Sequence, residues 1–132
     1  MTMSTREPIS TDAAPAAAGP YSQAIRAGEL VFTAGQLGLD PANGEFAGTD
    51  VATQAERAIA NLEAILLAAG SGLDRLVKVT VFLAEIADWP AVNEVYARMI
   101  PEPFPARSAF AVRDLPRGAL VEIEAVAAVD VG

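Results

Sequence analysis

Arg107 and Glu122 are the two residues of this chain whose type and setting best suit chemistry. Arg107 follows Pro103-Phe104-Pro105-Ala106, an entry stiffened by two prolines. A guanidinium held by such an entry is suited to bidentate capture of a carboxylate, because its planar fork matches the two oxygens. An exposed strand-end arginine is the plainer reading. Glu122 and Glu124 stand two apart in Val121-Glu122-Ile123-Glu124-Ala125, so on a strand they share a face at a separation of about 7 Å. Carboxylates on an apolar strand are costly to bury, and each must be paired, solvated in a cleft or protonated. Structural ion pairs with Arg107 or Lys78 are one outcome, and a glutamate lining a functional cleft is the other. A glycosidase-type carboxylate pair is set aside, because same-face neighbours on one strand cannot easily flank a sugar.

Other polar groups gather at expected strand ends. Tyr21, Ser22 and Gln23 follow Gly19-Pro20, and Thr33 and Gln36 flank Ala34-Gly35. The glycine spacings lack the strand–loop–helix context of a phosphate-binding loop. Asn93 lies beside the apolar stripe of an expected helix, where solvent exposure is the default, while Trp89 and Tyr96 read as packing residues. The 132 residues contain neither histidine nor cysteine. That removes thiolate nucleophiles, Cys/His zinc sites, Ser-His-Asp triads and imidazole acid–base catalysis. A net charge of −8 with no run of three Lys or Arg disfavours nucleic acid as a partner. No secretory signal core and no apolar stretch of membrane-spanning length is evident, so a soluble cytoplasmic protein is expected.

These residues must be positioned by a single domain, expected over residues 13–132 after a loose tail over 1–12. Ser22–Arg26 and Glu29–Leu37 read as two strands joined at Ala27-Gly28, followed by a turn at Asp40-Pro41-Ala42-Asn43-Gly44. From a cap at Thr49 or Asp50, apolar residues recur at helical spacing from Val51 to Ala69, with Gln54, Glu56, Arg57 and Glu63 on the other side. Gly70-Ser71-Gly72 ends that helix. Leu76–Leu83 reads as a central strand. A second helix runs from the cap Asp88 through Met99, and Pro101, Pro103 and Pro105 stop it. Arg107–Arg113 and Leu120–Val129 are expected as a terminal hairpin, which would bring Arg107 near Glu122. The result is an α+β sandwich with both helices on one sheet face. Both faces of the last strand are largely apolar, so its second face calls for a cover, most simply another subunit.

The ordered blocks Gly19-Pro20-Tyr21-Ser22-Gln23, Phe32-Thr33-Ala34-Gly35-Gln36, Val77 to Leu83, Val92-Asn93-Glu94-Val95-Tyr96, Pro105-Ala106-Arg107-Ser108 and Leu115 to Ala125 resemble the reactive intermediate deaminase family (RidA/YjgF, endoribonuclease L-PSP-like). The resemblance spans roughly Ala13 to Val129. It implies a chorismate-mutase-like (ferredoxin-like) sandwich with a mixed or antiparallel sheet, assembled as a homotrimer around a central β-barrel with active sites between subunits. It also implies hydrolysis of enamine and imine intermediates such as 2-aminoacrylate to a 2-oxo acid and ammonia, with no metal or cofactor. By the same resemblance, Arg107 would grip the substrate carboxylate and Glu122 would activate water or shuttle a proton. Tyr21 and Asn93 would line the cleft, and the backbone of Gly35 and Ala109 would offer hydrogen bonds. Ala34 departs from the family's usual hydroxyl residue and Ala109 from its frequent cysteine, and the stretch from Asn93 to Arg107 is a few residues short. A non-catalytic trimeric binder or sensor of small carboxylates is the alternative. Ribonuclease action or translation inhibition is disfavoured by the charge.

Overall fold

A computed structural model describes residues 5–129. The strands are β1 (Arg6–Ile9), β2 (Ala24–Ala27), β3 (Leu30–Thr33), β4 (Gln36–Leu37), β5 (Leu76–Leu83), β6 (Ala106–Ala111) and β7 (Val121–Ala128), and the helices are α1 (Val51–Ala68) and α2 (Trp89–Met99). The β-branched run Leu76–Leu83 forms the interior strand of one mixed sheet, ordered β1-β2-β3-β7-β5-β6, with β4 also paired to β7. Val79, Val81 and Leu83 of β5 and Val121, Ile123, Ala125 and Ala127 of β7 point to one face and are buried there. Ala55, Ala58, Ile59, Leu62, Ile65 and Leu66 of α1 and Val92, Val95 and Tyr96 of α2 cover that face. Truncating a fully buried residue such as Ile123 to alanine would cost about 2–5 kcal/mol.

Asp50 caps α1, accepting from the Thr53 backbone N–H at 2.9 Å, and this bond holds its carboxyl below the usual aspartate value. Asp88 makes no corresponding side-chain cap, and α2 is entered through a 3-10 turn at Ile86–Asp88. Gln54 is not on the solvent side as its place in the helical pattern suggested. It is buried, donating to the Gly48 carbonyl at 3.1 Å and accepting from the Leu120 N–H at 2.9 Å. Asn61, also buried, donates to the carbonyls of Leu37 and Leu39. Two amides of α1 thus fix the segment after β4 and the entry to β7, because a buried amide left without partners would be costly.

Three further expectations are corrected. Residues 6–9, expected in a loose tail, pair antiparallel with β2 as strand β1, while residues 1–4 lie outside the described residues. The single strand expected over Glu29–Leu37 is broken at Ala34-Gly35. Phe32 pairs with Val126 and Gln36 with Ile123, so three residues between these pairs on one side face two on the other, a bulge. The Ala125 N–H left over there donates to Thr33 Oγ1 at 3.0 Å. Finally, the terminal hairpin does not form. Strand β6 pairs parallel with β5, and β7 pairs antiparallel with the other edge of β5. The cause is α2: a strand, a helix and a strand in succession form a crossover that returns the second strand parallel to the first. The chain then passes over the end of β5, where Val112 N–H donates to the Leu83 carbonyl and Ala84 N–H to the Leu120 carbonyl.

The face of the sheet away from the helices carries Phe32, Phe82, Phe110 and Val126. Phe32 and Phe110 are exposed, and the Phe82 and Phe110 rings meet edge to face at 5.4 Å between centroids.

Candidate active site

Trp89, Asn93 and Tyr96 recur at spacings of four and three, and therefore share one face of α2. That face looks onto β6, where Arg107 projects. The Arg107 guanidinium carbon lies 4.5 Å from the Trp89 ring centroid and 4.6 Å from that of Tyr96. Its Nη1 donates to Asn93 Oδ1 at 2.8 Å. Among the described residues Arg107 makes no other hydrogen bond and no ion pair, so four of its five N–H donors are left for a ligand. They face a cavity of about 360 Å³ lined by Asn93, Tyr96, Ala97, Phe104, Pro105 and Arg107. Burial pushes the Tyr96 phenol pKa up, with the nearby Arg107 charge pulling it back in part.

Glu122 lies elsewhere, beside the bulge. It lines a larger cleft of about 670 Å³ together with Tyr21, Gly35, Leu37, Leu39 and Arg117. Gly35 has a steric role: a Cβ there would collide with the Glu122 carboxylate, coming within 2.8 Å of its carboxyl carbon. Tyr21 is brought to the rim by the segment before it. Gln23, buried under that segment, donates to the carbonyls of Thr11, Ala14 and Pro15 and accepts from the Thr11 N–H at 2.7 Å. Tyr21 itself accepts from the Ala18 N–H at 3.3 Å. The ion pairs offered for Glu122 and Glu124 do not form among the described residues. Instead, burial, and secondarily the Glu124 charge, raise the Glu122 pKa above the usual glutamate value. A carboxyl so shifted keeps its proton at higher pH and exchanges it closer to neutrality, as acid–base work requires. Arg117, at the same cleft, adopts φ +59, lies over the Phe46 ring at 5.6 Å and donates to the Gly44 carbonyl.

Strand register keeps the two groups apart. Arg107 pairs with Val79, and Val79 with Ala125. Residues paired across a sheet point the same way, so Arg107 projects to the helix-covered face. Glu122 pairs with Phe82, and Phe82 with Phe110, which puts Glu122 on the open face. With β5 between them, the two positions are also about 10 Å apart across the strands and about 10 Å along them. The juxtaposition expected from a terminal hairpin is therefore overturned within one chain. Asn93 joins Arg107, whereas Tyr21 and Gly35 join Glu122. Ala109, two residues beyond Arg107, packs toward the core and lies outside the lining of both cavities. The residues missed from sequence are Trp89, Tyr96, Gln23 and Arg117. The spacing of 89, 93 and 96 was the available signal for the first two. Among the described residues no group of three or more Asp or Glu could hold a metal ion, and no helix is long and apolar enough to cross a membrane.

A family model for endoribonuclease L-PSP matches residues 11–129. The chain is 52% identical to the RutC family protein y4sK of Sinorhizobium fredii, over 91% of this chain and 95% of that one. It is 47% identical to a 2-iminobutanoate/2-iminopropanoate deaminase of Bos taurus, over 96% of this chain and 93% of the bovine protein. The crystal structure of RidA from the Antarctic bacterium Psychrobacter sp. PAMC 21119 superposes with a TM-score of 0.91 at 44% identity, over 94% of this chain and all of that one.

Proposed function

Because this chain belongs to the endoribonuclease L-PSP family, which includes RidA, we propose that it is a hydrolytic deaminase of small 2-imino acids and their enamine tautomers, releasing a 2-oxo acid and ammonia. The observation that carries the reading is the pairing of functions across the two cavities: an arginine with four unengaged donors, and a glutamate whose pKa burial has raised. An imine carbon is already electrophilic, so the protein need only hold the substrate, place one water and move protons.

In this mechanism Arg107 grips the substrate carboxylate as a fork. Glu122, ionised, takes a proton from water as the oxygen adds to the imine carbon and the C=N pair shifts to nitrogen, and it then passes that proton to the nitrogen. In the collapse of the resulting aminoalcohol the hydroxyl gives its proton to Glu122 and Glu122 gives it to the nitrogen, so that the C=O bond forms, the C–N bond breaks and ammonia leaves. An enamine first takes a proton at its terminal carbon and releases one from nitrogen to become the imine. Tyr21 closes one side of the Glu122 cleft, Gly35 leaves room for the carboxylate, and Asn93 holds Arg107. Ala109 serves through its backbone beside Arg107.

One chain cannot bring these groups to one substrate, so we assign each site to two copies, one supplying Arg107 and Asn93 and the next supplying Tyr21, Gly35 and Glu122. A closed homotrimer, in which each copy gives one half-site to each neighbour, forms three such sites. The exposed Phe32 and Phe110 on the open sheet face support it, since apolar surface of this kind marks an interface. The test is to generate 2-iminopropanoate and 2-iminobutanoate with an amino-acid oxidase and follow 2-oxo acid release. Acceleration is expected. Binding of the 2-oxo acid without acceleration of any small imine, in folded protein, contradicts the reading and leaves a carboxylate binder.

A further inference from the structure

We infer that Trp89 and Tyr96 are positioning residues for the Arg107 clamp, forming an aromatic slot that admits the substrate carboxylate only at the guanidinium's free edge. The inference rests on the reading of Arg107 as carboxylate clamp and adds what makes that arginine selective. Trp89 and Tyr96 are seven residues, two helical turns and about 10 Å apart along α2. The guanidinium carbon lies 4.5 Å from one ring centroid and 4.6 Å from the other, so both rings bear on it at once. A cation in contact with two aromatic rings is held by their π-electrons, and the bond from Nη1 to Asn93 fixes its rotation.

Three constraints on one flexible side chain fix the plane in which its remaining donors lie. An arginine lying free would lose rotamer entropy on every binding event. The slot removes most of that loss in advance, and its effect belongs in binding rather than in the chemical step. The Tyr96 hydroxyl is buried and has no hydrogen-bond partner among the described residues. The ring, not the hydroxyl, is therefore the part that acts on Arg107, and phenylalanine should stand in for tyrosine at this position.

Trp89 is the single tryptophan of the chain, so its fluorescence reports the slot directly. Titration of the intact protein with 2-oxobutanoate, a stable product-like carboxylate, should change the emission saturably, and the change should vanish in Arg107→Ala. In imine hydrolysis, Trp89→Leu and Tyr96→Leu should each raise KM about five- to thirtyfold with kcat altered far less. Trp89→Phe and Tyr96→Phe should recover most of that KM. The slot is overturned by leucine variants whose KM is unchanged, by equal falls in kcat and thermal stability without recovery in the phenylalanine variants, or by calorimetric binding of 2-oxobutanoate that leaves Trp89 emission unmoved. Absence of 2-oxobutanoate binding also overturns it. A wild-type protein that shifts its emission yet hydrolyses no imine refutes the deaminase and keeps the slot. Active enzyme with an indifferent Trp89→Leu variant does the reverse.

Discussion

The two half-sites differ in how each group is prepared for its task. Arg107 sits on an edge strand, and neighbours on α2 hold its position: two rings and an amide. Glu122 sits on an interior strand, and its surroundings change its charge rather than its place, through burial and the Glu124 carboxylate. The first arrangement suits recognition of a permanent anion. The second suits a group that must gain and lose a proton. Their placement on opposite faces of one sheet keeps them apart within one chain, which is why the proposed site draws them from two copies.

Removing the clamp is the severest way to break this comparison. Arg107→Ala should lower kcat/KM about a thousandfold, since two charge-assisted hydrogen bonds are lost, while sedimentation shows the assembly unchanged. Arg107→Lys should not restore it, because an ammonium cannot present a planar fork. Glu122→Gln should lower kcat about a hundredfold or more and leave KM within a few-fold. A variant that lost KM instead would give both half-sites the same role.

The pH behaviour sharpens the contrast. The acid limb of the wild-type rate profile should lie above the ordinary glutamate range and be absent from the residual activity of Glu122→Gln. Stability follows the same raised pKa. Below the ordinary glutamate value both folded and unfolded states are protonated and no penalty exists. The penalty of holding Glu122 charged appears as pH rises past that value and is complete above the folded-state pKa. Glu122→Gln should therefore melt higher than wild type at neutral pH, with the gap closing in acid. Smaller effects follow from the supports. Gly35→Ala should displace the Glu122 carboxylate and lower kcat about tenfold without loss of assembly. Asn93→Ala should raise KM only a few-fold, because the two rings still hold the guanidinium.

Much of this was legible in the chain. The period of Val51 to Ala69, the β-branched run from Leu76, and the turn glycines gave the elements nearly to the residue, and both half-site residues stood out by type. Their facing did not, because it depends on strand order, which periodicity does not carry. A short polar link between two strands, Asp114 to Gly118, argued for a hairpin. The crossover through α2 sets β6 against one edge of β5, and β7 takes the other edge instead of pairing with β6. Gln54 and Asn61 were hidden for a related reason. An amide reads as surface until the carbonyls that will bury it are known.

Complementation between two defective chains tests the central claim most directly. Arg107→Ala and Glu122→Gln chains are each nearly inactive, and co-expression in equal amounts mixes them within assemblies. If each site joins Arg107 of one copy to Glu122 of the next, random mixing in a closed ring leaves about one quarter of sites with both residues intact. The mixture should recover about that fraction of wild-type activity. Mixed assemblies no more active than either parent would contradict a site shared between copies.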